Sequence, residues 1–165
     1  MAVGKKSWAA ALFTAGAVAA LAVGAAMLWN AGRGTVPSVR LRPDDAAVTA
    51  LGQKVYAAQC AACHGARLEG QPNWRARGPD GRLPAPPHDA SGHTWHHPDE
   101  LLFRITKLGL AKAANLASFG SSMPAYEGVL TDAEILAVLS WIKAQWPPSI
   151  RAKHDEMNRS SSPQR

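Results

Sequence analysis

Apolar side chains recur at helical spacing in three stretches of the chain, and no stretch shows the apolar–polar alternation of a strand. In the first stretch, Val48, Leu51 and Val55 are spaced at i, i+3 and i+7 and form one apolar stripe. Asp44 and Asp45 precede it and are candidate N-cap residues, because a short acidic side chain can accept hydrogen bonds from the first backbone amides of a helix. The pattern predicts a helix that begins near these two residues.

The two other stretches have clear start and stop signals. One has Pro98 at its first position, acidic residues in its first turn and Gly109 just beyond its end. The other opens with a capping box, Thr131 with Glu134 three residues later, and stops before the Pro147–Pro148 pair. The apolar positions are Leu101, Leu102, Ile105 and Leu108 in the former and Ile135, Val138, Leu139, Ile142 and Trp146 in the latter. These signals predict an all-α fold class.

The longest apolar segment lies close to the N-terminus. An uncharged run of 21 residues from Ala9 to Trp29 follows Lys5 and Lys6, and a helix of that length can cross a hydrocarbon core of about 30 Å. A secretory signal would have a shorter apolar core, about 7–15 residues, and a small-residue cleavage site. We therefore predict that residues 1–30 are a transmembrane anchor or uncleaved signal, although the arginines after the run leave its orientation open.

The rest of the chain divides into a linker, one domain and a tail. Glycines and a proline break any periodicity in residues 31–42, which we expect to be a linker. Residues 43–148 are the predicted domain, and residues 149–165 are a polar tail that we expect to be flexible and poorly ordered. Within the domain, residues 65–98 are irregular and rich in Gly and Pro, so a bound prosthetic group is expected to organise them.

The distribution of charge argues against nucleic acid as a partner. The whole chain has a formal net charge of +6 and a pI near 9.8, which would suit an anionic ligand if the excess lay on the folded domain. Residues 43–146 contain nine Lys or Arg and ten Asp or Glu, a net charge of −1. The positive excess therefore belongs to the two ends of the chain.

The only two cysteines lie in the sequence Cys60-Ala61-Ala62-Cys63-His64, which has the spacing of a c-type haem attachment site. One helical turn places both thiols along one side, where each can add to a vinyl group of the porphyrin. His64 then lies beside the ring as an iron ligand. Covalent attachment retains the haem in both oxidation states of the iron, as a redox protein requires.

Two other interpretations of the same residues remain open. A thioredoxin-type dithiol would need a preceding strand in a βαβ unit, which the sequence does not offer. A zinc site could combine Cys60 and Cys63 with imidazoles from a histidine cluster, since tetrahedral zinc accepts such mixed ligands. That cluster consists of His88, His93, His96 and His97.

The best candidate for a second iron ligand is Met123, the only methionine inside the predicted domain. Pro124 fixes its own φ and restrains the preceding residue to extended geometry, which helps to present the thioether to a metal. His97 or His96 is the alternative, and bis-histidine ligation would lower the reduction potential. His97 directly precedes Pro98 at a helix start, which favours a structural role for it.

From Asp44 to Trp146 the chain resembles the class I cytochrome c family. Three features carry the resemblance: a helix with Gly52 and Tyr56 leading into residues 60–65, the segment at residues 123–126, and the terminal helix from Thr131. The resemblance implies the cytochrome c fold around one haem c, with the first and last helices crossing where Gly52 allows close approach. It also implies that a proline carbonyl, Pro86 or else Pro87, accepts a hydrogen bond from the imidazole of His64.

The resemblance also implies a function. We expect an electron carrier that works by outer-sphere transfer, not an enzyme, anchored in a bacterial inner membrane with its haem domain in the periplasm. Its partners are expected to be redox proteins such as a membrane oxidase or dehydrogenase, met in small and transient contacts. The alternatives are a haem subunit of a larger oxidoreductase, a haem enzyme or sensor with an open iron site, and a periplasmic metal-binding protein.

Overall fold

The computed structural model describes residues 39–115 and 120–161. All regular secondary structure in these residues is helical, which confirms the all-α prediction for this part of the chain. The elements are α1 Ala46–Gln59, α2 Ala61–His64, a 3-10 helix at Thr94–His96, α3 Asp99–Leu108, α4 Leu110–Ala113, α5 Asp132–Ala144 and α6 Pro148–Ser161.

The predicted anchor at residues 1–30 and most of the predicted linker lie outside the described residues. Among the helices of residues 39–115 and 120–161, none has the length and apolar character needed to cross a bilayer.

Helices α1 and α5 pack against each other at the centre of the domain. The Asp45 side chain caps α1 by accepting hydrogen bonds from two backbone amides, those of Ala47 and Val48. Gly52 is buried, and a Cβ atom at this position would lie 2.1 Å from the carbonyl oxygen of Ala137. The close helix crossing that the resemblance implies is therefore present, and only a glycine fits it.

The predicted capping box begins α5, because the Thr131 hydroxyl accepts from the Glu134 amide and the Glu134 carboxylate accepts from the Thr131 amide. All five apolar positions predicted for this helix pattern are buried. The core cluster around them consists of Leu41, Val55, Tyr56, Leu68, Leu102, Ile135, Val138, Leu139, Ile142 and Trp146. The hydrophobic periodicity thus located the central helix correctly.

Helix α3 begins one residue later than predicted, with Pro98 as its N-cap, and ends at Gly109, whose φ of 81° suits glycine. Its predicted apolar face is only partly covered by protein. Leu102 is buried, whereas the other three apolar positions of that face, Leu101, Ile105 and Leu108, are half-buried. The helix therefore leaves apolar surface incompletely packed.

The prediction of a poorly ordered tail is wrong for residues 149–161, which lie in helix α6. The Pro147–Pro148 pair stops α5 as predicted, but Pro148 is also the first residue of α6, a position where proline costs no hydrogen bond. His154 is completely buried, and its ring lies edge-on to that of Trp146 at 5.0 Å. The polar composition of residues 149–161 does not indicate this buried contact.

Polar contacts join α6 to the start of α3. The Nε2 atom of His154 lies 3.0 Å from the His97 carbonyl oxygen and 3.5 Å from the Asp99 carboxylate. Asn158 accepts a hydrogen bond from the Asp99 amide at 2.8 Å, and the Asp99 carboxylate accepts one from the Leu41 amide at 2.9 Å. These bonds satisfy buried polar groups that would otherwise destabilise the fold.

Candidate functional site

The cysteine motif lies where α1 meets α2. Cys60 is at once the C-cap of α1 and the N-cap of α2, and the His64 amide donates to the Cys60 carbonyl at 2.9 Å. Both cysteines are free, Cys60 half-buried and Cys63 exposed. Gly65 ends α2 at a φ of 82°, and its carbonyl accepts a hydrogen bond from the Tyr56 hydroxyl at 2.8 Å. Tyr56 thereby holds the turn that follows the motif.

His64 is the one motif residue that is buried, with an exposed fraction of 7%. Its Nδ1 atom lies 2.8 Å from the Pro86 carbonyl oxygen, the contact that the resemblance implied. When Nδ1 donates this bond, the lone pair is on Nε2, which becomes the nitrogen able to bind a metal. Burial lowers the pKa of His64, and the Pro86 hydrogen bond partly opposes that shift. The imidazole is thus held in the neutral form that ligates metals.

The other proline of the predicted pair has a different contact. The Pro87 carbonyl lies 3.5 Å from the Thr94 hydroxyl, a long hydrogen bond. Pro87 is itself buried, and a Cβ at Gly92 would lie 2.0 Å from its carbonyl oxygen. The structure therefore brings Pro86, and not Pro87, to the imidazole of His64.

His88 forms a contact that the sequence did not reveal. Its ring stacks on that of His64 with a centroid separation of 3.9 Å and an interplanar angle of 22°. The sequence alone places His88 only in the histidine cluster. The available signal was its position two residues after Pro86, since the backbone that supplies the carbonyl to His64 also carries His88 into its vicinity.

The cysteines do not have the properties of a redox dithiol. Burial, and after it the neighbouring Cys63, raises the pKa of the Cys60 thiol to about 11. A thioredoxin-type nucleophile needs a lowered pKa, because the thiolate is the reactive species. A helix precedes the motif, and no strand occurs in residues 39–115 or 120–161. The dithiol interpretation therefore has no support here.

The histidine cluster is spread over separate ring contacts. His93 stacks on Trp74 at 5.3 Å and meets His97 edge-on at 5.3 Å, whereas His96 stacks on Trp95 at 3.6 Å. Within the described part of the chain, no group of three or more His, Cys, Asp or Glu side chains is arranged to hold a metal ion. The described residues therefore offer no ligand set for the zinc site.

The segment containing Met123 is tied to the cysteine motif. Met123 is half-buried, and its amide donates to the Ser121 hydroxyl at 3.1 Å. Three residues later, the Tyr126 hydroxyl donates to the carbonyl of Gln59, the residue before Cys60, at 2.7 Å. Burial, and after it the charge of the two cysteines, raises the pKa of Tyr126.

The same segment is also joined to α3. The amides of Tyr126 and Glu127 donate to the carbonyls of Thr106 and Lys107 at 3.1 and 2.9 Å. Residues 120–127 therefore cross from the end of α3 to the start of the motif. The sequence pattern does not indicate this anchoring role of Tyr126.

A c-type haem fits the residues around the motif. The two thiols are free, the Pro86 contact leaves the Nε2 atom of His64 as the nitrogen that could bind a metal, and α3 has apolar surface that a porphyrin could cover. Trp95 Nε1 is the one buried side-chain polar atom of the described residues that has no hydrogen-bond partner. A carboxylate of a bound haem could accept a bond from such a donor, and buried donors are rarely left unpaired.

Comparison with known protein families gives a match. The family model described as Cytochrome c matches residues 49–146, which is more than half of the chain. The matched region begins inside α1 and ends after α5, so it includes the motif, the Pro86 contact and the Met123 segment but not α6. No curated protein and no solved structure matches the chain significantly.

Proposed function

Because the chain belongs to the cytochrome c family, whose members are haem-based electron-transfer proteins, we propose that it is a mono-haem c-type cytochrome of class I. Cys60 and Cys63 would hold the haem covalently, and His64 and Met123 would bind its iron. When bound, the haem iron supplies one-electron chemistry by alternating between the ferric and ferrous states. The family match across a CXXCH motif is the observation that carries this proposal.

His64 and Pro86 set the proximal side of the site. The Nδ1–Pro86 hydrogen bond fixes the tautomer of the imidazole and raises the basicity of Nε2. Burial excludes water from the ring, so a competing ligand cannot easily replace it. These contacts support His64 as a ligand that stays in place during electron transfer.

Met123 is proposed as the second iron ligand because its segment is hydrogen-bonded both to the residue before the cysteine motif and to α3. The Tyr126 bonds to Gln59 and Thr106 limit how far the Met123 backbone can move from the motif. A thioether favours ferrous iron, so we expect a positive reduction potential suited to a respiratory carrier.

We also propose that the apolar run from Ala9 to Trp29 anchors the protein in a bacterial inner membrane, with the haem domain in the periplasm. The length of the run and the preceding Lys5 and Lys6 support this proposal. Anchoring would raise the effective concentration of the domain near a membrane oxidase or dehydrogenase, which we propose as partners. Fractionation of cells that express the full chain tests it, and recovery of the chain in the soluble periplasmic fraction would contradict it.

The haem proposal is tested by mass spectrometry and by optical spectra of the full chain made in a host that attaches haem. We expect the mass of one haem per chain and a thioether-to-iron charge-transfer band in the oxidised protein. Met123→Ala should remove that band, whereas Met157→Ala, which changes a half-buried methionine in α6, should keep it. Bare polypeptide mass would overturn the proposal, and carbon monoxide binding to the reduced wild type would favour the open-site alternative.

A further inference from the structure

His64 is oriented by two contacts of different kinds. The Nδ1–Pro86 bond of 2.8 Å fixes one atom of the ring, but the ring can still rock about the axis of that bond. The torsion that turns a histidine ring is broad, so rotamer preference alone does not remove this freedom. The stacked ring of His88, 3.9 Å away and nearly parallel, covers the face of the His64 imidazole. This contact restricts the rocking of the ring.

His88 is itself firmly held. Its Nδ1 atom lies 2.8 Å from the hydroxyl of Thr94, which is buried. Its amide donates to the Leu68 carbonyl at 2.8 Å, and its own carbonyl accepts from Trp146 Nε1 at 2.7 Å. The Tyr56 ring lies edge-on to it at 6.4 Å. A side chain held through its ring and through both backbone polar groups can restrain a neighbour.

We infer that His88 is a positioning residue for the proximal ligand, and that its stacked imidazole fixes the plane in which His64 presents Nε2 to the iron. This inference rests on the proposed function, since it assumes that His64 binds haem iron. It assigns a role to the irregular stretch that begins at Pro86. The Pro86 carbonyl contacts Nδ1 of His64, and the side chain two residues later, that of His88, covers the face of the His64 ring.

The role of the ring can be separated from that of its polar atoms by two substitutions. His88→Phe keeps an aromatic face and loses the bond to Thr94, whereas His88→Asn keeps a polar group and loses the face. We expect His88→Phe to resemble the wild type, and His88→Asn and His88→Ala to present His64 in a wider range of orientations. His93→Ala is the matched control, because it removes an imidazole of the same stretch that stacks on Trp74 and not on His64.

The readouts are the linewidths of the low-spin ferric EPR signal and the proton shifts of the haem methyl groups, both of which depend on the plane of the axial imidazole. His88→Asn and His88→Ala should broaden the EPR signal and shift the methyl resonances, while His88→Phe and His93→Ala should do neither. If His88→Ala does not accumulate, the comparison of His88→Phe with His88→Asn decides. The inference is overturned if His88→Asn matches the wild type, or if His88→Phe is disturbed as strongly as His88→Asn.

The mass of the wild-type protein separates this inference from the proposed function. A wild type without covalent haem overturns the proposed function, and the inference falls with it. A wild type with one haem, together with unchanged spectra in every His88 variant, overturns the inference alone.

Discussion

Replacement of Gly52 by alanine tests the helix crossing on which the site is built. In an isolated helix this change is favourable by about 1 kcal/mol, because alanine has the higher helix propensity. In this fold the new methyl carbon would lie 2.1 and 2.6 Å from the carbonyl oxygen and carbon of Ala137, and 2.7 Å from Cβ of Trp141. These atoms cannot rotate away, since two belong to the backbone of α5, so the helices must move apart.

Overpacking in a core typically costs about 1–3 kcal/mol, and backbone clashes lie at the upper end or beyond it. After the gain in propensity, we expect Gly52→Ala to lower the free energy of unfolding by about 2 kcal/mol or more. For a domain of this size, about 4 °C in melting temperature corresponds to 1 kcal/mol, so the midpoint should fall by about 8 °C. Thermal unfolding followed by far-UV circular dichroism on the haem-loaded protein measures it.

Gly120→Ala is the matched control. The same methyl group would there have Arg82 Cγ as its nearest neighbour, at 3.8 Å, and the backbone φ is not positive. Its stability should stay equal to wild type or rise by about 0.4–1 kcal/mol, because alanine restricts the unfolded chain. If Gly52→Ala melts at the wild-type temperature or above it, α1 and α5 do not cross at this residue and our reasoning is refuted.

Three other substitutions, with Glu156→Ala as a control, test the capping of α5 and the packing of α6. Thr131→Ala should lower the free energy of unfolding by about 1 kcal/mol in urea titrations, because the N-cap bond is lost; an unchanged midpoint would contradict the capping box. The buried ammonium of Lys143 pairs with the Asp155 carboxylate, whereas Glu156 pairs with Arg159 at the exposed surface. Asp155→Ala should cost about 1–3 kcal/mol in the same assay, because it leaves the Lys143 ammonium unpaired, while Glu156→Ala should cost about 0.5 kcal/mol or less. In His154→Gln the free energy of unfolding should depend less steeply on pH below neutrality than in the wild type. Equal slopes would refute the contribution of His154 to this pH dependence.

The sign of that pH effect follows from the environment of His154. Burial, followed by the charge of Lys143, lowers its pKa below the ordinary value of 6.5, against the opposing effect of Asp99. Between the lowered pKa and 6.5 the unfolded chain binds more protons at this residue than the folded chain does. The contribution of His154 to stability is therefore complete above pH 6.5 and is lost as the pH falls below that value.

The features that the sequence predicted correctly depend on short stretches of chain. The capping box of Thr131 and Glu134, the N-cap at Asp45 and the glycine that ends α3 act within a few residues of themselves, so their side chains reveal them. The CXXCH spacing of Cys60, Cys63 and His64, which lies within the matched family region, is likewise confined to five residues. The apolar periodicity of α5 was equally reliable because a central helix must bury one face.

Only the tertiary structure decided which polar side chains are buried, and against what. His154 lies in a segment whose composition predicts a solvated tail, yet the carbonyl of His97 and the carboxylate of Asp99, more than fifty residues earlier, make its burial favourable. The stacking of His88 on His64 depends in the same way on a backbone path fixed by Leu68 and Trp146. The free energy of a buried polar group depends on partners distant in sequence, and a single sequence does not show which partners the fold brings together.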